Sequence, residues 1–321
     1  MKRLLLVTFA TVLGLTACKQ SAPAPELAKA TPAQGATDSA GSGAALAADP
    51  WQSAPKQKNP LARPLFWSIE KDGITSYALG TIHVGVDPEE RLPQLVWDKL
   101  DAAPTFAMET NLVDPALAKA LECIGCSLRR DLGEEHWKKL EEVLGKDVAA
   151  RIDPMKPMVA ATMMSMRGLP STTQMDTVLL GRAQNKKKQI VYLEPATHQA
   201  AMLEKWMNVK ALKAMLDDVE GGERQTKEML EAYLTGDDAR MVALSDGEKE
   251  KALKAGYTEA EYVEQMEDLL YKRNASWIAP IEKLHAAGGG FIAVGAMHLV
   301  GPRSVLELLE QKGYKITRVT P

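Results

Sequence analysis

This sequence of 321 residues has few cysteines, few aromatic residues and no excess of basic charge. It has three cysteines, 5% aromatic residues, and 39 lysines and arginines against 42 aspartates and glutamates. Because basic residues do not outnumber acidic ones, the charge balance gives no indication of nucleic-acid binding. No His-Glu-x-x-His helix is present, which excludes a zincin-type protease. The rest of the composition is that of an ordinary globular protein.

The first residues have the pattern of an export signal. A basic start precedes an apolar run at residues 4–13, which is too short to span a bilayer, and Leu-Thr-Ala then precedes Cys18. This ending resembles the bacterial lipobox and predicts a signal peptide at residues 1–17 with lipidation of Cys18. By resemblance to Gram-negative lipoproteins, Lys19 favours the outer membrane, facing the periplasm. The alternative is a cleaved soluble precursor in which the cysteine is incidental.

The next segment differs from the remainder in composition. Residues 18–61 are rich in alanine, proline, serine, glycine and glutamine and contain few residues to bury. Such a segment cannot offset the entropy lost on ordering, so we predict a disordered tether here. Residues 62–321 would then form the folded domain.

The other two cysteines, Cys123 and Cys126, form a lone Cys-x-x-Cys motif. In an oxidising compartment the simplest interpretation is a local structural disulfide. A thioredoxin-like redox site remains an alternative, but it would place the motif at a helix start after a strand. A structural zinc site would need a second ligand pair, and the sequence contains none.

From residue 65 the sequence alternates between strand and helix patterns, which predicts an α/β fold. Two β-rich runs flank a Lys-Asp-Gly turn, as in a hairpin, and a strand-helix-strand unit follows. We expect a mixed central sheet with flanking helices and a large helical insertion. The predicted strands are residues 65–70, 74–79, 104–108, 189–193, 291–295 and 313–319, and the predicted helical segments are 88–102, 114–170, 176–185, 197–287 and 302–311.

Four chemically useful side chains follow the predicted strands. His83 and His298 each end a Gly-x-x-His motif after an apolar run, and Glu109 and Glu194 each follow a strand directly. Because the carboxyl ends of parallel strands share one edge of a sheet, we expect these residues to converge. Imidazole and carboxylate groups are ligands for zinc, manganese and similar ions. The alternative for each residue alone is a structural hydrogen bond, and a third Gly-x-x-His copy, at His136, is assigned to the surface.

Arg273 and Asn274 lie on a late predicted helix. The pair has two interpretations, an oxyanion or substrate clamp or an ordinary polar pair on a helix surface.

The set of motifs, taken in order, resembles the TraB/GumN/PrgY/Tiki family, and within it the bacterial GumN-type lipoproteins. The motifs are YALGTIH at residues 77–83, Asp176 leading a helix into VYLE at 191–194, RN at 273–274 with Trp277, and GAMHLVG at 295–301. The resemblance implies a fold related to the erythromycin-esterase and ChaN-like group and a metal-dependent hydrolase, proposed to be a peptidase. It also implies that the site includes His83, His298, Glu109, Arg273 and Asn274.

These inferences combine into one hypothesis, a membrane-tethered periplasmic hydrolase that cleaves a peptide or protein substrate. His83, His298 and Glu194 would hold a divalent manganese, cobalt or zinc ion that activates water. Glu109 would be the general base, with Arg273 and Asn274 stabilising the oxyanion. The alternative is a non-catalytic lipoprotein that uses the same cleft to bind a metal or another ligand.

Overall fold

The computed structural model describes residues 57–111, 113–121 and 123–321. The predicted signal peptide, Cys18 and the tether up to residue 56 lie outside these residues. Packing onto the domain begins slightly before residue 62, because Leu61 is buried and its N–H donates to the carbonyl of Arg91.

The predicted mixed α/β architecture is confirmed by a six-stranded sheet. Strands β2, β5, β3 and β4 are parallel to one another, and β1 pairs antiparallel with both β2 and β6. The order across the sheet is β4-β3-β5-β2-β1-β6. The strands are β1 (Phe66–Lys71), β2 (Ile74–Thr81), β3 (Thr105–Met108), β4 (Gln189–Tyr192), β5 (Phe291–Gly295) and β6 (Lys315–Arg318).

The predicted hairpin is present. Strands β1 and β2 pair from Phe66 with Leu79 to Lys71 with Ile74. Asp72 and Gly73 connect them with φ angles of 52° and 76°. Two consecutive positive φ angles suit the right-handed twist of the strands, which is why Asp-Gly is a favoured hairpin turn.

Some helices pack against the sheet, and others form a separate helical insertion. They are α1 (Pro88–Arg91), α2 (Gln94–Ala102), α3 (Pro115–Leu121), α4 (Leu128–Leu144), α5 (Lys146–Ile152), α6 (Pro157–Ser165), α7 (Met175–Asn185), α8 (Ala196–Trp206), α9 (Val209–Asp217), α10 (Val219–Thr235), α11 (Asp238–Lys254), α12 (Glu259–Met266), a π-helical turn (Glu267–Tyr271), α13 (Lys272–Ala286), a 3-10 turn (Ala296–His298) and α14 (Val305–Glu310).

The single helix predicted at residues 88–102 is wrong, because the chain forms two helices there. Leu92 and Pro93 both have extended backbone between α1 and α2. Proline cannot donate to the preceding turn, and it disfavours helical backbone in the residue before it. The helical spacing of apolar residues continues across Leu92 and Pro93, so this spacing alone does not predict the break between α1 and α2.

The buried apolar side chains form a main core around the sheet, a second core within the helical insertion and a smaller cluster that includes Tyr257 and Tyr262. Helices α3 to α6, α8 and α9 contribute to the second core, which includes Trp137, Met158 and Trp206. After α3, Cys123 and Cys126 are joined in a disulfide. No helix in the described part of the chain is both long and apolar enough to cross a membrane.

Candidate functional site

Strand β5 occupies the centre of the site because it lies between β2 and β3. Its first four residues are fully buried, as an apolar run flanked by parallel strands should be. After Gly295 the chain enters the 3-10 turn that ends on His298. His83 therefore lies on one side of this turn and Glu109 on the other. The strands that carry them, β2 and β3, are consecutive in the sequence but are separated in the sheet by β5.

His83 is held by a carboxylate from α7. Its Nδ1 lies 2.6 Å from Oδ2 of Asp176, whose other oxygen accepts from the hydroxyl of Thr81 at 2.9 Å. Because a carboxylate only accepts, Nδ1 carries the proton and Nε2 keeps its lone pair when the ring is neutral. Burial lowers the pKa of His83, but the charge and hydrogen bond of Asp176 outweigh burial and leave that pKa raised.

The backbone around His83 is attached to the start of α7. The N–H of Met175 donates to the carbonyl of His83 at 3.2 Å, and the N–H of Gly85 donates to the hydroxyl of Thr172 at 3.0 Å. Gly85 has a φ of 96°, and a side chain there would press on Leu169. Asp176 and His83 are therefore held in register by main-chain contacts as well as by their own hydrogen bond.

Arg273 joins the other site residues from α13. Its guanidinium is almost completely buried, with 2% of the side chain exposed, and lies 2.7 Å from Glu109 and 2.6 Å from Glu194. A guanidinium has five N–H groups. Nε donates to Glu194, Nη2 to both glutamates, and Nη1 to the carbonyl of Leu269 and to Nε2 of His298. All five donors therefore have acceptors within the protein.

His298 is fixed in one tautomer by its neighbours. Nδ1 lies 2.6 Å from Oδ1 of Asn274, and the amide nitrogen of Asn274 donates to the carbonyl of Arg303 at 2.9 Å. Nδ1 is therefore the donor, and Nε2 accepts from Arg273. Burial and the nearby guanidinium lower the pKa of His298 to about 3 despite the charge of Glu109, so the ring stays neutral at physiological pH.

Glu109 is oriented from three directions. One oxygen, Oε1, accepts from the N–H of Gly295 at 2.7 Å, and the other accepts from Arg273 and, at 3.1 Å, from the amide of Gln199. Burial raises the pKa of Glu109, but the charge of Arg273, the charges of His298 and His83 in their protonated forms, and the Gly295 N–H outweigh it and lower the pKa to about 2. Glu109 is therefore ionised and is a weak proton acceptor at neutral pH.

Gly295 keeps a small space open between these groups. A Cβ placed on this residue would lie 3.1 Å from Oε1 of Glu109, 3.6 Å from Cδ2 of His298 and 3.9 Å from Nε2 of His83. These three groups thus border the same point. The space opens into a cleft whose empty volume, including the part open to solvent, is about 700 Å³.

The imidazoles and carboxylates are suitable metal ligands by chemistry, but most of them are turned toward Arg273. Both oxygens of Glu194 and Nε2 of His298 accept from its guanidinium. Across residues 57–111, 113–121 and 123–321, no three His, Cys, Asp or Glu side chains are grouped to hold a metal ion. A cation at this point would also lie near the positive charge of Arg273. The residues as arranged do not fit a divalent metal, and we derive no chemical step through one.

Comparison with known proteins agrees with the motifs of the site. The family model described as the TraB/PrgY/gumN family matches residues 65–318, which cover all six strands. The chain belongs to the TraB/PrgY/gumN family. A relative within reach of sequence comparison is the uncharacterized protein YbaP of Shigella flexneri, 25% identical over 249 residues, which cover 73% of this chain and 87% of YbaP. No solved structure is significantly similar to this TraB-family chain.

The structure brings together every predicted site residue of the domain. Glu109, Glu194 and His298 contact Arg273 directly, Asn274 contacts His298, and His83 faces the same space from the other side. Cys123 and Cys126 lie in the helical insertion, and Cys18 lies outside the described residues.

Two residues of the TraB-family site were missed as site residues by sequence reasoning. Asp176 was noted only as the start of a helix, although a carboxylate in the first turn beside a motif of the resemblance was a usable signal. Gln199 is a buried polar residue of α8 that hydrogen-bonds Glu109. No local pattern distinguishes Gln199 from a surface glutamine, because its contact depends on the fold of β3 against α8.

Proposed function

We propose that this TraB-family protein is a hydrolase that cleaves peptide bonds with an activated water. The observation that carries the proposal is the space beside Gly295, which Nε2 of His83 and Oε1 of Glu109 both border. A histidine whose other nitrogen is held by a carboxylate is a common general base, and it is exposed to the cleft here. Membership of the family is consistent with the proposal but does not assign an activity.

In the proposed reaction a water lies between His83 and Glu109. Nε2 of His83 takes one proton as the water oxygen attacks the carbonyl carbon of the substrate. The carbon–nitrogen bond then breaks, and the imidazolium returns the proton to the leaving amine. Glu109 accepts a hydrogen bond from the second O–H of the water and so orients the water's lone pair, because both carboxylate oxygens are fixed by their partners.

The role assigned to Glu109 from the sequence, that of general base, stays a prediction, but its low pKa favours His83 for that role. A general base is most effective when its pKa lies near the working pH. Arg273 and Asn274 would orient Glu109 and His298. Their predicted function as an oxyanion clamp would require the substrate to replace one of their present acceptors.

The test is cleavage of a peptide library by the wild-type protein and by Gly295→Ala. The backbone of Gly295 has a φ of −50° and a ψ of 134°, which alanine adopts, while the added Cβ enters the space for the water. We expect kcat/KM to fall by about a hundredfold, the usual cost of a misplaced reacting group. Gly247→Ala is the control, because a Cβ there meets no neighbour within 4 Å.

Three outcomes separate the candidates. Loss of cleavage in Gly295→Ala and in His83→Ala, with Gly247→Ala unaffected, supports the hydrolase. Cleavage that survives both substitutions contradicts it. Ligand binding by the wild-type protein without any turnover favours the alternative, a non-catalytic binding protein that uses the same cleft.

The requirement for a manganese, cobalt or zinc ion is a separate prediction from the resemblance. It is tested by measuring turnover after chelation and after each metal is added back, together with the metal content of the protein. Full activity in metal-free protein would contradict the requirement and leave the role of His83 intact.

We further propose that the protein is a lipoprotein anchored in the outer membrane through Cys18, facing the periplasm. The support is the order of basic start, apolar run and Leu-Thr-Ala-Cys ending. Acyl chains contribute about 0.8 kcal/mol per buried methylene, so a multiply acylated cysteine would retain the domain without a spanning helix. Cys18→Ser should move the protein from the membrane fraction to the soluble fraction, and an unchanged distribution would contradict the anchor.

A further inference from the structure

The cleft has two chemically different sides. The polar side carries His83, Glu109, Arg273 and His298. The rest of the lining is mostly apolar and includes Leu169, Met229, Tyr233, Met241, Ala296 and Met297, together with Thr226. Because both sides border the same opening, a substrate whose reacting carbonyl lies near His83 places a neighbouring group against the apolar side.

Helix α10 supplies the centre of the apolar side. Thr226, Met229 and Tyr233 are spaced three and four residues apart, so they project from one face of the helix. The Tyr233 hydroxyl donates to the carbonyl of Gly80 at 2.9 Å, which satisfies its polar end within the protein. Tyr233 is buried and lines the cleft with its hydroxyl already paired.

The methionines suit this position better than branched residues would. Met229 and Met297 are partly exposed, whereas Met241 is buried. Methionine is unbranched and polarizable, so it adapts to apolar groups of different shape. The methionines of α6, by contrast, pack into the second core and contribute nothing to the cleft.

The charges around the polar side limit which substrates can enter. Asp176, Glu109 and Glu194 carry three negative charges, and Arg273 carries one positive charge. Even with His83 protonated, the cluster keeps a net negative charge. An acidic residue beside the cleaved bond would be repelled by this excess and would lose its hydration against the apolar side.

We propose that the cleft selects a peptide with a large apolar side chain, of leucine or methionine type, next to the cleaved bond, and that Met229 and its neighbours form the subsite for it. The inference rests on the proposed peptidase function, because the side chain is defined by its position next to the cleaved bond. The subsite itself makes a prediction about binding that does not require turnover.

The experiment measures equilibrium binding of fluorescent hexapeptides by the whole protein. The peptides are built from glycine and serine and differ at one central position, which is leucine, methionine, serine or glutamate. We expect the leucine and methionine peptides to bind about tenfold more tightly than the serine peptide, as burial of such a side chain allows, and the glutamate peptide to bind weakest. Mass spectrometry of the same mixtures shows whether any peptide is cleaved.

Two variants at one position locate the subsite. Met229→Leu keeps an apolar side chain and should keep the preference for leucine. Met229→Lys should abolish that preference and improve binding of the glutamate peptide, because it adds a positive charge to the apolar side. Since Met229 is partly exposed, a lysine there can reach solvent. Leu169→Ser is a second variant should Met229→Lys fail to fold.

The outcomes distinguish the subsite from the activity. Selective binding of the leucine peptide without cleavage supports the subsite and contradicts the peptidase. Cleavage with equal binding of all four peptides overturns the subsite and supports the peptidase. Equal binding of the leucine peptide by Met229→Lys and Met229→Leu overturns the assignment to this face of α10.

Discussion

Arg273 is buried between two glutamates and a histidine, and its position explains why the site is so tightly ordered. Its side chain is 2% exposed, and those of Glu109 and Glu194 are 8% and 3% exposed. Two ionised carboxylates this close would repel each other without the guanidinium. Arg273 thus contacts two of the predicted metal ligands, Glu194 and His298, and it holds Glu109 in one orientation toward the cleft.

Arg273→Met is expected to destabilise the fold strongly. It removes the guanidinium that contacts both Glu109 and Glu194, and breaking a buried ion pair in this way costs about 3–5 kcal/mol. Urea denaturation of the wild-type and variant proteins measures the difference in the free energy of unfolding.

A matched control uses an arginine in an exposed ion pair. Arg240 contacts Glu231 at 3.2 Å, and its side chain is 41% exposed. Arg240→Met should cost about 1 kcal/mol or less. Similar losses for the two arginine variants would show that Arg273 is not the compensating charge.

His298 should make the stability of the protein sensitive to acid. Its pKa is about 3 in the folded protein, against an ordinary value of 6.5. Below pH 6.5 the unfolded chain therefore binds a proton that the folded chain excludes, and the stability due to neutral His298 is lost as the pH falls from 6.5 toward 3. His83 has the opposite sign, because its pKa is raised in the folded state.

Comparison of the wild type with His298→Gln separates the effect of His298 on the pH dependence of stability from that of His83. Glutamine cannot take up the proton, so the variant should lose about 2 kcal/mol less stability than the wild type between pH 7 and pH 5. The measurement is urea denaturation at both pH values in the presence of a chelator. Parallel losses in the two proteins would mean that His298 titrates normally in the folded state.

At the scale of elements, both the backbone conformation and the close packing at the end of α10 require the glycine found there. Gly236 ends the helix in left-handed conformation, with φ 66° and ψ 31°. A Cβ here would lie 1.9 Å from the carbonyl oxygen of Arg63, whereas a Cβ on Gly256, also at positive φ, meets no atom within 4 Å. The two glycines therefore share a backbone requirement and differ in the space around them.

Gly236→Ala should be much more destabilising than Gly256→Ala. Both substitutions carry the cost of a left-handed alanine, about 1–2 kcal/mol. Only Gly236→Ala also forces the chain apart at Arg63, which adds about 1–3 kcal/mol. Thermal unfolding of both variants gives the comparison, and equal shifts in Tm would contradict the close contact. Because α10 carries Met229 and Tyr233, the leucine preference should weaken in parallel.

Elements were predictable where the local pattern and the backbone chemistry agreed. The hairpin at Asp72 and Gly73 and the strand before Glu109 follow from turn residues and apolar runs. The break at Pro93 shows the limit of periodicity, because an apolar face can continue through a residue that no longer forms helix. The disulfide between Cys123 and Cys126 joins residues three positions apart in the sequence, so it is a local feature of the chain.

At the scale of the whole molecule, the order of the strands creates the site. The strand that arrives last among the parallel strands, β5, inserts between β2 and β3. This places Gly295 and His298 between His83 and Glu109, which are carried by strands that do not pair with each other. The helical insertion has its own core and contributes Gln199 to the site through α8.

The sequence by itself determined which side chains would reach the carboxyl edge of the sheet, because each follows a strand whose pattern is a local property of the sequence. The tertiary structure alone decided what those side chains contact. Arg273 meets Glu109 across 164 positions of sequence, and His83 meets Asp176 across 93. Buried charges must be paired with whatever complementary groups the fold brings beside them, and this depends on contacts that no local pattern encodes.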